Sequence, residues 1–170
     1  MDIIEIKRSF KEDRPAKWES IPDMELYMDQ VLNFMRKQHI GLEGDETLTA
    51  SMVNNYIKKG LLPRAKGKKY KKSHVAHLTA ICLLKQVLSV TDTDAVLKDQ
   101  LEEQEIEEFY KKYCKEIDGE FTKVSELIHM DMDREELSDM ILKLAISSYA
   151  QKLACERLLK FAGELDRSPL

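Results

Sequence analysis

A chain of 170 residues with 43% apolar and 34% charged side chains can bury a core and lacks the composition of a disordered protein. No apolar run approaches the ~20 residues of a membrane span, residues 1 to 20 open with Asp2 and Glu5 where a leader would be basic and then apolar, and Cys82, Cys114 and Cys155 are too dispersed for a disulfide framework or a zinc cluster. A cytoplasmic chain with buried free thiols, no metal and no cofactor is expected. The net charge of −4 conceals an asymmetry: Thr47 to Val90 holds nine Lys or Arg and no Asp or Glu, which leaves 18 basic residues for all 31 acidic ones elsewhere.

Residues 1–17 read as a polar N-terminal segment, and Trp18 as a core anchor behind it. Pro22 and Asp23 mark the start of a helix running to about His39, with Leu26, Val31, Phe34 and Met35 on its apolar side. Gly41 and Gly44 then open a loop to Thr47. Thr49 suits the N-cap of a helix from Ala50 to Lys59, which Gly60 stops. At about 100° per residue Val53, Tyr56 and Ile57 share one side of it, while Ser51, Asn54, Asn55, Lys58 and Lys59 take the opposite arc. That outer arc offers amides that can hydrogen-bond base edges and cations that can meet phosphates. Two adjacent Asn are poor helix formers, so solubility alone does not account for them.

"LLPRAKGKKYKK" follows, too short and too punctuated for another helix; a two-stranded hairpin with Gly67 at its tip is expected, placing Arg64, Lys66, Lys68 and Lys69 beside the Asn-bearing helix. A solvated lysine-rich loop is the bland alternative. Ser73 is the expected cap of the next helix, whose core stripe is Val75, Leu78, Ile81, Cys82 and Leu88. His74, on its first turn, is either a phosphate contact or an ordinary polar first-turn residue.

Helix, helix, basic hairpin, helix is the order of a winged helix-turn-helix. The string "MVNNYIKKGLLPRAKGKKYKKSHVAHLTAICLLKQVLSV" resembles the DNA-binding domain of MerR-like regulators, in which a recognition helix runs into Gly-Leu-Leu and then a wing ending in a Tyr-containing strand; Gly60 to Pro63, and Tyr70 with Lys71, stand at those places. Within that class "DMELYMDQVLNFM", "LTASMVNNYIKKGLLP" and "KKYKKSHVAHL" are similar to a bacterial family catalogued as domain of unknown function 1836. The resemblance covers residues 18 to 90 and implies a DNA-binding site at Thr49, Ser51, Asn54, Asn55, Lys58, Lys59, Arg64, Lys66, Lys68, Lys69, Tyr70, Lys71 and Lys72. Two departures stand out. Asn54, Asn55 and Tyr56 occupy the place of an Arg-Tyr-Tyr run, and the connection from His39 to Thr47 exceeds an ordinary helix-turn-helix turn.

From Thr91 the charge reverses. Residues 91–170 read as an all-helical C-terminal region: Thr91 to Lys98 extends or restarts a helix, and "LEEQEIEEFYKKYCKEIDGEF" forms a charged one with Ile106, Phe109, Tyr110 and Tyr113 inward and Gly119 at its end or at a kink. Asp133 caps a final helix that would be about 45 Å long if continuous to Ala162. Either this region pairs with a second copy, giving a twofold dimer with two reading heads, or its helices pack against one another within the chain.

The catalytic motifs are missing: no phosphate-binding Gly-rich loop, nucleophile elbow or His-Glu-x-x-His is present, and "EEQEIEE" is an acidic solvated face. The expected fold is therefore mainly α, a MerR-like winged helix-turn-helix over residues 18–90 with a small β-hairpin wing and a helical region behind it. The expected role is a non-enzymatic transcriptional regulator of duplex DNA acting as a homodimer. An adaptor that binds an acidic protein through the same basic face is the alternative. The sequence names no effector.

Overall fold

The computed structural model describes residues 2–38 and 47–165; the loop expected at Gly41 and Gly44, and His39 before it, lie outside them. Among the described residues the chain is mainly helical, with seven α-helices, one turn of 3₁₀ helix at Trp18–Ser20, and no strand. Two isolated antiparallel bridges, Leu26 with Tyr70 and Lys66 with Lys69, stand where a two-stranded wing was expected.

The centre is α4, Lys72–Leu84, in which eight positions from His74 to Cys82 are buried. A helix apolar on most sides must be covered on most sides. The neighbours that cover it are α2, Met28–Met35, and α6, Ile106–Leu127. Its stripe includes Val75, Leu78 and Ile81, all at 0% exposure, as the periodicity predicts. Ser73 is not its cap, because the helix begins at Lys72 and the imidazole of His74 takes the capping role: its Nδ1 accepts from the Lys71 N–H at 3.0 Å.

The expected helix from Pro22 starts later, at Met28. Leu26 is drawn instead into a pair of 2.8 Å backbone hydrogen bonds with Tyr70, each residue donating to the other's carbonyl. Two good ladder bonds formed with a distant residue outweigh the weak local preference for one more helical turn. Leu26 is buried all the same, as is Val31 and Met35 beyond it.

The polar N-terminal segment is ordered as α1, Ile3–Glu12, closed by a reciprocal box in which the Glu5 N–H donates to Asp2 and the Asp2 N–H to Glu5. It lies on α6: Phe10 meets Phe121 edge-on at 5.6 Å, and Arg14 donates to Asp118 at 2.6 Å while its guanidinium sits 5.0 Å from the Phe121 ring. Helix α6 runs through Gly119, which is therefore not its end. Its Phe109, Tyr110, Tyr113 and Ile117 join the same buried cluster as α2 to α4, so the core passes through the boundary expected at residue 90. Tyr110, at 0% exposure, donates to the Ala16 carbonyl at 2.8 Å and stacks on Tyr113. Trp18, half-buried against this cluster, anchors the segment before α2.

Helix α5, Val90–Glu102, starts at the Ser89 cap and bridges the core to α7, Arg134–Leu165. Asp133 caps α7 as its sequence suggests, its Oδ1 accepting from the N–H groups of Glu135 and Glu136 at 2.9 Å. At 32 residues α7 is about 48 Å long, and none of its residues is buried. The packing of C-terminal helices into one bundle within the chain is thus not what the structure shows for α7.

Candidate nucleic-acid interface

The carboxylate-free basic stretch begins with two adjoining pieces, α3 at Ala50–Lys58 and the segment that leads from it to α4. Thr49 caps α3, its Oγ1 accepting from the Met52 N–H at 3.2 Å. Val53 and Tyr56 are buried and Ile57 half-buried, so the wheel's inner face is the face that packs. Gly60, at φ 79°, ends the helix in the left-handed region, and the Leu61 N–H returns to the Tyr56 carbonyl at 2.9 Å. Leu61 and Leu62 then dive into the core.

With its inner face committed, α3 presents Ser51, Asn54, Asn55, Lys58 and Lys59 to solvent, all five exposed. Lys58 in the last turn also complements the negative end of the helix dipole. The backbone reverses at Gly67 and Lys68, both with positive φ (59° and 62°), and the Lys69 N–H donates to the Lys66 carbonyl at 3.1 Å. Positive φ at both central positions is the two-residue turn that suits a hairpin. Gly67 is at the tip as expected, yet no strand is built on it: Pro63 lacks a donor and four exposed cations have no face to bury. Among the described residues Lys68 is the one non-glycine held in this strained region, and it is exposed.

Helix and turn meet across an open groove of about 480 Å³, lined by Ala50, Asn54 and Ile57 of α3, Arg64, Ala65 and Lys68 of the turn, and Met28 and Tyr70. Asn54, Arg64 and Lys68 therefore border one concavity. Lys66 and Lys71 are exposed nearby. No ion pair joins Lys58, Lys59, Arg64, Lys66, Lys68 or Lys71 to a carboxylate among the described residues.

Four of the residues singled out by sequence are placed differently. Tyr70 is 4% exposed, its backbone tied to Leu26, and burial raises its pKa. It positions the turn from inside. Lys72 is drawn away to Asp23 at 2.8 Å and lies 5.0 Å from the Trp18 ring. Lys69 pairs loosely with Glu25 at 3.9 Å beside the Tyr27 ring. His74, considered as a phosphate contact, is buried edge-on to Tyr70 with no hydrogen-bond partner for Nε2, and burial lowers its pKa. Sequence reasoning also missed that Met28 and Ala50 line the groove; Ala50 stands one residue after the Thr49 cap, and its small size was the available signal.

Elsewhere the chemistry is quiet. Burial pushes the Cys82 thiol up to about 12 and the Cys114 thiol up to about 11, so both stay protonated and poorly nucleophilic. Cys82 is buried, whereas Cys114 and Cys155 are half-buried. No group of three or more His, Cys, Asp or Glu converges as a metal site among the described residues, and no helix there is long and apolar enough to cross a membrane.

Residues 16–113 match the family model described as "Domain of unknown function (DUF1836)". The chain belongs to that family, whose extent reaches past the basic stretch and takes in α5 and the first turns of α6. No curated protein and no solved structure matches the chain.

Proposed function

We propose that this member of the DUF1836 family is a cytoplasmic, non-enzymatic regulator that binds duplex DNA as a homodimer, with α3 and the following turn acting as a MerR-like recognition helix and wing. The observation that carries the reading is the groove shared by Asn54, Arg64 and Lys68, set in a surface where exposed amides adjoin exposed cations. Asn pairs with the adenine edge in the major groove, and flanking cations set register on phosphate. In this reading Asn54, Asn55 and Lys58 enter the groove of the duplex, and Ser51, Lys59, Arg64, Lys66, Lys68 and Lys71 hold its backbone. Thr49 and Tyr70 position these groups from behind. The order of α2, α3, turn and α4, with Leu26 bridged to Tyr70, supports reading these elements as a winged helix with its wing reduced to a turn.

The test is selection from a random duplex pool followed by fluorescence-anisotropy titration at several salt concentrations. An enriched inverted repeat is the expected result, with log affinity falling by about 0.9 per phosphate contacted for each log unit of salt. Arg64→Ala with Lys68→Ala should lower that slope by about two without changing the preferred sequence. Absence of binding at low salt would overturn the reading.

The apolar floor of the groove, Met28, Ile57 and Ala65, favours one second reading, an adaptor that docks an acidic peptide there. Asn54→Ala with Asn55→Ala separates the two: it relaxes sequence preference on DNA and leaves a peptide's affinity nearly unchanged.

A further inference from the structure

Lys69 and Lys72 are the two cations of the basic stretch with a carboxylate partner among the described residues, and both partners come from one short segment. Asp23 takes the Lys72 ammonium at 2.8 Å, and Glu25 stands 3.9 Å from that of Lys69. Each ammonium also has an aromatic ring beside it: Lys72 lies 5.0 Å from Trp18, and Lys69 5.9 Å from Tyr27. A ring face and a carboxylate both attract a cation.

The backbone explains the pairing. Leu26 and Tyr70 are bridged antiparallel with both side chains buried, so their neighbours in the chain point to the outer face. Tyr27 then stands across from Lys69, with Glu25 on the diagonal. The Lys72 side chain, at the first position of α4, is only 15% exposed. Glu105 and Glu107 at the start of α6 line the same open hollow of about 620 Å³, which sets four carboxylates against the ammonium groups of Lys71 and Lys72.

We propose that Asp23 and Glu25 form an autoinhibitory contact: they stand in for phosphate and hold Lys72 and Lys69 off polyanions, so that the unpaired cations of α3 and the turn set the strength of binding. The inference rests on the DNA-binding reading above. Exposed ion pairs are individually weak, so the restraint is moderate. Its effect is to limit sequence-independent attraction, against which a reader of base edges must discriminate.

The test is a set of anisotropy titrations of the full chain against a labelled random-sequence duplex and labelled heparin at several salt concentrations. Asp23→Asn with Glu25→Gln should raise affinity for both by about threefold to tenfold at about 0.1 M salt, and steepen the duplex salt dependence by up to about 0.9 log unit for each of the two freed cations. Removing two negative charges also raises affinity through the net charge alone, so Lys69→Gln with Lys72→Gln is measured in both backgrounds. In the native chain it should change duplex affinity by less than about twofold, and in the Asp23→Asn, Glu25→Gln chain it should abolish the gain. An equal loss in both backgrounds is a plain effect of net charge and overturns the contact. Binding by both chains with no gain on removing the carboxylates overturns the contact and leaves the DNA-binding reading standing. If neither chain binds duplex or heparin, both fall together; if only the Asp23→Asn, Glu25→Gln chain binds, the contact is upheld at its strongest.

Discussion

Helices α4 and α7 are both rich in apolar residues, yet one is buried at eight of its thirteen positions and the other at none of its 32. What separates them is the supply of partners within the chain. Helix α4 is met by both α2 and α6. Helix α7 extends about 48 Å, farther than a core of this size can follow, and charged or polar residues recur along it so that no turn is wholly apolar. Apolar content alone does not decide burial; the geometry of what can reach it does.

The largest effect that would sharpen this contrast is Tyr110→Ala. The residue is fully buried, donates to the Ala16 carbonyl and stacks on Tyr113, so its loss should cost about 3–5 kcal/mol in chemical denaturation. Ile146→Ala should change the unfolding of a single copy by less than about 0.5 kcal/mol, because it touches solvent there. Equal costs would mean that α7 is buried in solution by something the single chain lacks.

Gln38→Leu comes next. Gln38 is 1% exposed and its Oε1 accepts from the Ala16 N–H at 2.9 Å, fastening the segment before α2 to the end of that helix. A leucine strands that N–H and should cost about 1–3 kcal/mol by the same measurement. Thr49→Ala removes the α3 cap and should cost about 1 kcal/mol, and under the DNA-binding reading proposed above duplex affinity should fall in parallel as α3 frays.

The smallest effect is the response to acid. Burial lowers the pKa of His74 and of His77 below the ordinary 6.5, and each imidazole is neutral in the fold. Above 6.5 the folded and unfolded chains bind the same number of protons at these groups. As pH falls through 6.5 the unfolded chain takes up protons that the folded one refuses, so stability is lost downward from that point. Thermal melts between pH 7.5 and 5.5 should show a falling midpoint, and His74→Gln should flatten part of the fall.

Much of the candidate site was legible before any coordinates. The cap at Thr49, the stop at Gly60 and the arc of Ser51, Asn54, Asn55, Lys58 and Lys59 follow from helical spacing, and the absence of carboxylates from Thr47 to Val90 marks the surface. The N-terminal helix was not legible as such, although Asp2 and Glu5 are a capping pair, because its short polar sequence forms a helix only against α6. The orientation of Tyr70, Lys72 and His74 was hidden for the same reason.

The sequence by itself determined where most helices form and which of their faces are apolar or charged, since these depend on residues three and four apart. Tertiary structure alone decided that Leu26 leaves its helix to pair with Tyr70, that Lys72 turns to Asp23, that the core runs on into α6, and that α7 stands without cover. Those outcomes depend on residues dozens of positions apart, whose meeting no local pattern encodes.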